Sequence, residues 1–507
     1  MRGGHRNWNS FRTEHSDATA NAPPRHPVFA RGSPHSRNVS EIVPKNKNVP
    51  VTRALAEFAA GLRFEDLPDS VIAFFKIWLL DTLGCGVVGC KAPWSQQTLA
   101  VAKEMGGLGK ATVIADGAKL HYSQAAFANS MLIESLNFSD VHTASHMHVA
   151  SIVLPGLLAM SEVGNRSGRE VITAAVAGAE VTIRTALGIP VEDDRGFHTS
   201  GTFGSFGAAA AMGRIQCLTD AEMINALGLA GTQSCGIWAP HYDGANAMRL
   251  HPALSVRSGI FAADLAAKGF TASTRVLECE DGGVYYAFSD GPRYWDRILK
   301  GLGTDFTETF LAIGLKVYPC VRSAHAMVSL LLDIMEEYDL VGEEIVSIRV
   351  FAKPGPIQGR YGPDVAGQPD TSWLAQFSVP YAIAVTALDK ACTVDQFFPD
   401  ERVRESKVQA YIRECVSLES DPEISKYPKY CARVEVTTRD GREFSKLETR
   451  GVKGDVPYPL TFEDVEKKFL SLTAGALSSE KSSKAIDIVR HFEDLENVGE
   501  LMDSLTA

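Results

Sequence analysis

The residues best suited to chemistry fall in one short run, Asn137-Phe138-Ser139-Asp140-Val141-His142-Thr143-Ala144-Ser145-His146-Met147-His148. The chain has 13 histidines. Three of them lie within seven residues here, beside Asp140. Imidazole titrates near neutral pH, so such a cluster suits proton transfer. The alternative is a solvated loop that happens to be rich in His. His142 and His146 stand four apart, a spacing that would put two metal ligands on one helix face. The His-Glu-x-x-His pattern and a third ligand are missing, so no metal site is expected.

Four further stretches carry candidate groups. Arg195-Gly196-Phe197-His198-Thr199-Ser200-Gly201-Thr202 opens an Ala-rich helix, where an anion or a simple cap would both fit. Met248-Arg249-Leu250-His251, with Arg257, offers guanidinium groups that could grip carboxylates or form ordinary surface ion pairs. Leu315-Lys316-Val317-Tyr318-Pro319-Cys320, with His325, places a Lys among apolar residues. Tyr381 sits in an apolar helix, where a core tyrosine is the ordinary reading.

These stretches need elements to position them. Residues 1–48 hold eight Lys and Arg against three Asp and Glu, a charge of +5, which leaves −16 on the rest of a chain whose net charge is −11. An acidic body argues against a nucleic-acid partner, while a local basic pocket for a small anion remains compatible with it. The first 48 residues, rich in Arg, His, Asn, Ser and Pro, read as a disordered tail. A transit peptide is the alternative, so the expected location is cytoplasmic, or mitochondrial if the tail is such a leader. Nine scattered Cys suggest reduced thiols, and no run of about twenty apolar residues announces a membrane span.

Helical periodicity runs from Thr52 through Leu302, with strand signals few. After Lys316 the texture changes. Ile345–Phe351 alternates as a strand does, and Ala432–Thr438 meets Asp440-Gly441 and Glu443-Phe444 as a hairpin. Residues 461–505 are helical again. The expectation is a mainly α protein: a large helical domain over 49–314, a smaller α+β lid inserted over 315–461, and helices over 462–507 that return to the first domain.

Laid end to end, the pieces resemble the MmgE/PrpD family. The likeness rests on Leu80-Asp81-Thr82-Leu83-Gly84-Cys85, Leu136-Asn137-Phe138-Ser139-Asp140-Val141-His142, Gly196-Phe197-His198-x-x-Gly201-Thr202, Ala226-Leu227-Gly228-Leu229-Ala230-Gly231-Thr232-Gln233, Arg249-Leu250-His251, Leu315-Lys316-x-Tyr318-Pro319-Cys320 and Phe377-Ser378-Val379-Pro380-Tyr381. The family includes 2-methylcitrate dehydratase, cis-aconitate decarboxylase and iminodisuccinate epimerase. The resemblance implies a homodimer that acts on a small polycarboxylate with no metal or organic cofactor; charge and hydropathy add the expectation of no nucleic-acid and no membrane partner. It places the catalytic neighbourhood on Asp140, His142, His148, His198, Lys316 and Tyr381, with Arg249, His251 and Asn137 binding substrate. His148 and His198 are the expected acid/base pair, with the division of steps between them open. Lys316, Arg249 and His251 are the expected anion holders, and Asp140 is expected to orient His142.

Two positions depart from the family pattern, which usually has Asp where this chain has Asn137 and Lys where it has Met248. His148-Val149-Ala150-Ser151-Ile152-Val153-Leu154-Pro155 is closer to the fungal cis-aconitate decarboxylases. Dehydration of a 2-methylcitrate-like substrate is placed just ahead of decarboxylation of a cis-aconitate-like one. Epimerisation and non-catalytic binding are the remaining readings.

Overall fold

The computed structural model describes residues 50–189, 195–353 and 367–506; the tail expected over 1–48 lies outside them. The helix Val51–Gly61 buries Val51, Leu55, Ala56 and Ala59 along one face, as apolar residues three and four apart must. Asp69–Gly89 starts after Pro68 in extended conformation, and every residue from Trp78 to Gly89 is buried. By length and composition this helix could cross a bilayer, against the expectation from sequence. It is instead a core helix, with most of its residues buried inside the protein.

The helices Tyr122–Glu134, Val149–Gly164, Gly168–Leu187, Gly204–Ile215 and Leu250–Ala266 pack on one another, and the first three also touch Asp69–Gly89. Helix starts are fixed locally: Ser167 with Glu170 forms a capping box for Gly168–Leu187, and Thr219 with Glu222 one for the neighbouring helix Asp220–Gly231. Small residues let the axes approach closely. A Cβ at Gly207 would lie 1.5 Å from Thr182 Oγ1 and 2.6 Å from the Gly178 carbonyl, and one at Gly259 would lie 2.3 Å from Ala208 Cβ. The Gly-Ala run 207–211 is therefore a helix-to-helix contact. The Ala-rich helix expected after Arg195–Thr202 is two helices, Thr199–Thr202 and Gly204–Ile215, separated at Phe203.

Two large apolar cores result. The first draws on residues from Val51 to Leu315 and again from Leu460 to Leu505. The second runs from Cys320 to Val452. Lys316 stands where the chain passes from one to the other. The second core lies under a four-stranded sheet in the order Val416–Ser420, Ile345–Ala352, Ala432–Thr438, Glu443–Glu448; the first pair is parallel and the other two are antiparallel. Helices His325–Glu337 and Val379–Asp389 pack against it. The protein is thus mainly α with a smaller α+β region. Strand Val416–Ser420 was not foreseen. It is an edge strand that buries no residue fully and follows the helix Ser406–Cys415 without a breaker.

The close approach at Gly207 is testable. Gly207→Ala forces Thr182 and the Gly178 backbone apart and should destabilise the protein by about 1–3 kcal/mol in chemical denaturation. An unchanged unfolding midpoint would contradict the helix packing described.

Candidate active site

The 137–148 run is held between two elements. Tyr122–Glu134 ends just before it, and Asn137 turns the chain with φ +51°, a left-handed conformation that Asn tolerates. Val141–His142 then pairs antiparallel with Ile313–Gly314. This pairing brings Lys316 back over Asn137. Lys316 Nζ donates to the Asn137 carbonyl at 2.9 Å and also to Asn137 Oδ1. The ammonium of Lys468 fixes the same junction, donating to the carbonyls of Lys316 at 2.8 Å and Phe138 at 3.1 Å and to Asp81 at 2.7 Å. Burial pulls Lys316 down to about 8.

Asp140 is fully buried. Its carboxylate accepts from Trp78 Nε1 at 2.8 Å and from the Ala150 amide at 3.0 Å, at the start of helix Val149–Gly164. Burial raises it to about 7 against those hydrogen bonds. The backbone carbonyl of Asp140 accepts from His148 Nδ1 at 2.9 Å. That bond puts the proton of neutral His148 on Nδ1 and leaves Nε2 with the lone pair. His198 opens the short helix Thr199–Thr202, and its Nδ1 lies 2.9 Å from His251 Nδ1, so one ring donates and the other accepts. Trp238 stands edge-on to His198 with ring centroids 4.7 Å apart.

Arg249 is buried between two indoles, with its guanidinium carbon 4.6 Å from the ring of Trp94 and 4.6 Å from that of Trp373. It donates to the Ser135 carbonyl at 2.5 Å and to Gln376 Oε1 at 3.0 Å. Burial pulls its guanidinium below the ordinary value. Among the described residues neither Arg249 nor Lys316 has a carboxylate within ion-pair distance, whereas Arg322 nearby is paired with Asp455. Asn137 Nδ2 is buried and unpartnered. Asn137, His148, His198, Arg249 and Lys316 line one cavity of about 100 Å3, together with Glu134, Met248, Trp238 and Trp373.

Several sequence expectations are corrected by this geometry. Asp140 does not orient His142. His142 Nε2 donates to the Glu308 carbonyl at 3.1 Å, and its Nδ1 accepts from Ser145 Oγ at 2.7 Å. The ring turns to a second, more open cavity of about 830 Å3, because strand geometry sends it away from His148. Burial lowers it to about 4, so it stays neutral. Tyr381 belongs to the second core, where its hydroxyl donates to the Gln396 carbonyl at 2.5 Å and its ring packs on Phe397. It lines neither cavity. His251 stands behind His198, outside the cavity lining. Arg257 lies over Phe127, away from the site. Among the described residues no three His, Cys, Asp or Glu side chains gather as a metal would need, and His142 and His146 line different cavities.

Sequence reasoning missed Glu134, Trp94, Trp373 and Gln376. Glu134 carried a readable signal, the one charged residue of its helix, one turn before Asn137. The other three come from distant segments, and nothing local marks them.

The cavity makes a pH prediction. Lys316 holds an anion only while protonated, and that form is lost as pH rises through about 8. The affinity for a small polycarboxylate should therefore fall across that range in calorimetric titrations, and Lys316→Met should remove the fall. A wild-type affinity that stays constant from about pH 7 to about pH 9 would contradict a role for this ammonium.

Comparison with known proteins agrees with the architecture. Residues 53–295 match the MmgE/PrpD N-terminal domain and residues 318–494 the MmgE/PrpD C-terminal domain. Cis-aconitate decarboxylase of Aspergillus terreus (strain NIH 2624 / FGSC A1156) is 30% identical over 474 residues, which cover 90% of this chain and 96% of that protein. The cis-aconitate decarboxylase-like protein oryM of Aspergillus oryzae (strain ATCC 42149 / RIB 40) is 28% identical, covering 89% and 96%. Cis-aconitate decarboxylase of Homo sapiens is 27% identical, covering 88% and 92%. Both halves of the match follow in order along nearly the whole described chain, and the chain belongs to the MmgE/PrpD family.

Proposed function

We propose that this chain is a lyase that decarboxylates cis-aconitate or a closely similar tricarboxylate, using side chains alone. The observation that carries the reading is the pair of buried cations, Arg249 and Lys316, beside two imidazoles and with no carboxylate in ion-pair contact among the described residues. Substrate carboxylates are the natural complement of such a pair, because a buried charge needs a counter-charge or a dense set of hydrogen bonds. The full-length likeness to cis-aconitate decarboxylases supports this reaction over the 2-methylcitrate dehydration placed first on sequence.

In this scheme Arg249 and Lys316 hold carboxylates of the substrate. The bond from one carboxyl carbon to its neighbour breaks, and carbon dioxide leaves. The electron pair moves through the adjacent double bond, and a carbon at its far end takes a proton from an imidazolium. His148 suits the donor role, since its Nδ1 is held by the Asp140 carbonyl and Nε2 is left for the cavity. His198, set by His251 and Trp238, lines the same space and completes the proton traffic. Asn137 adds a neutral donor, its unpartnered amide. A homodimer with a cytoplasmic location belongs to the same reading.

Ligand binding without turnover is the second reading. It is favoured by Met248, which packs with Trp238 and Trp373 where the family usually has a cation. The test is incubation of the purified protein with cis-aconitate, with products identified by mass and NMR. Carbon dioxide and a five-carbon unsaturated dicarboxylate in equal amounts are expected. Loss or gain of water, or binding with no product, would overturn the reading. His148→Gln and His198→Gln should each lower the rate by about 10²–10⁴-fold with the fold intact by circular dichroism. Near-normal turnover in both variants would place the chemistry elsewhere.

A further inference from the structure

Glu134 was not foreseen as a site residue, yet it is the one acidic side chain that lines the cavity among the described residues. Its carboxylate is fixed from two sides: Oε2 accepts from Ser151 Oγ at 2.9 Å and from Ser139 Oγ at 3.3 Å. Its Oε1 lies 3.9 Å from His148 Nδ1, and among the described residues no other carboxylate stands within ion-pair distance of that ring. We propose that Glu134 is a positioning residue that acts through His148, serving as the counter-ion that lets this buried imidazole hold a second proton for delivery to the substrate.

The surroundings show why a counter-ion is needed. Lys316 and Arg249 bring positive charge to the same cavity, and His146 and His198 bring further imidazoles. Asp140 offers His148 only its backbone carbonyl, because its carboxylate is turned to Trp78 and Ala150. Asn137, one turn beyond Glu134, is neutral. Burial and Lys316 both pull His148 down, and Glu134 is the largest influence against them. With Glu134 ionised, the proton on Nδ1 sits between the Asp140 carbonyl and a carboxylate, and a second proton on Nε2 is tolerated. In the decarboxylation that Nε2–H bond breaks as the new C–H bond forms. His148 becomes neutral and regains a proton from solvent, and Glu134 keeps its charge throughout.

This inference rests on reading His148 as the proton carrier, and its test is independent of the substrate. Diethyl pyrocarbonate acylates only neutral imidazole, so the yield of modified His148 peptide against pH reports where that ring loses its proton. In Glu134→Gln, which keeps the size and the serine contacts, the half-maximal pH should fall by about one unit or more. Glu134→Asp keeps the charge but draws it back, and should fall between the two; it also serves if the Gln variant does not fold. The alkaline limb of the cis-aconitate rate profile should move down by the same amount in kcat, with KM little changed. Identical His148 reactivity in wild type and both variants would overturn the proposal. Shifted His148 reactivity without any turnover of cis-aconitate would uphold the coupling while removing the decarboxylase reading.

Discussion

Two positive charges are buried here with no carboxylate in ion-pair contact among the described residues, and much of the surrounding structure follows from that. Removing an ammonium or a guanidinium from water is expensive unless dipoles or opposite charge replace the solvent. Arg249 is met by the carbonyl of Ser135, the amide oxygen of Gln376 and the faces of Trp94 and Trp373. Lys316 is met by both oxygens of Asn137. These partners supply dipoles and ring faces but no formal negative charge. The cavity is therefore set up electrostatically before any ligand arrives, which is the condition for strong stabilisation of an anion and of the charge that shifts during its reaction.

Keeping such a site rigid requires a scaffold that does not yield. Helices packed through Gly178, Gly207 and Gly259 approach closely enough that even a methyl group would collide with backbone or side chain. Against that base the 137–148 run is held at several points: Trp78 and Ala150 to Asp140, Ile313–Gly314 to Val141–His142, and Lys468 to the Lys316 and Phe138 carbonyls. The site also draws on both cores. Trp373, Gln376 and Phe377 come from the segment around the second core, and His148, His198 and Arg249 from the helical body.

Much of this was legible in the sequence. The change of texture after Lys316 marked the α+β region, because alternation and a Asp-Gly turn signal strands over 345–351 and 432–444 where 3.6-residue spacing had ruled before. His148, His198, Arg249, Lys316 and Asn137, separated by up to 179 residues, do meet at one cavity. What failed did so for local physical reasons. Three histidines in seven residues read as one cluster, but the strand at Val141–His142 turns His142 to the second cavity, while His146 and His148 share the first. Tyr381 looked catalytic only through the resemblance, and the apolar helix around it kept it in the core. Glu134 was absorbed into a helix read only as buried.

The account depends on the cavity lined by Arg249 and Lys316 being the place where substrate carboxylates bind. A crystal structure of the protein with a bound tricarboxylate, cis-aconitate or a non-reactive analogue, tests this directly. One carboxylate should lie within hydrogen-bond distance of Lys316 Nζ and another beside Arg249, with His148 Nε2 facing the carbon that is to be protonated. A ligand seated instead in the open cavity beside His142, with the Arg249 and Lys316 cavity unfilled, would contradict it.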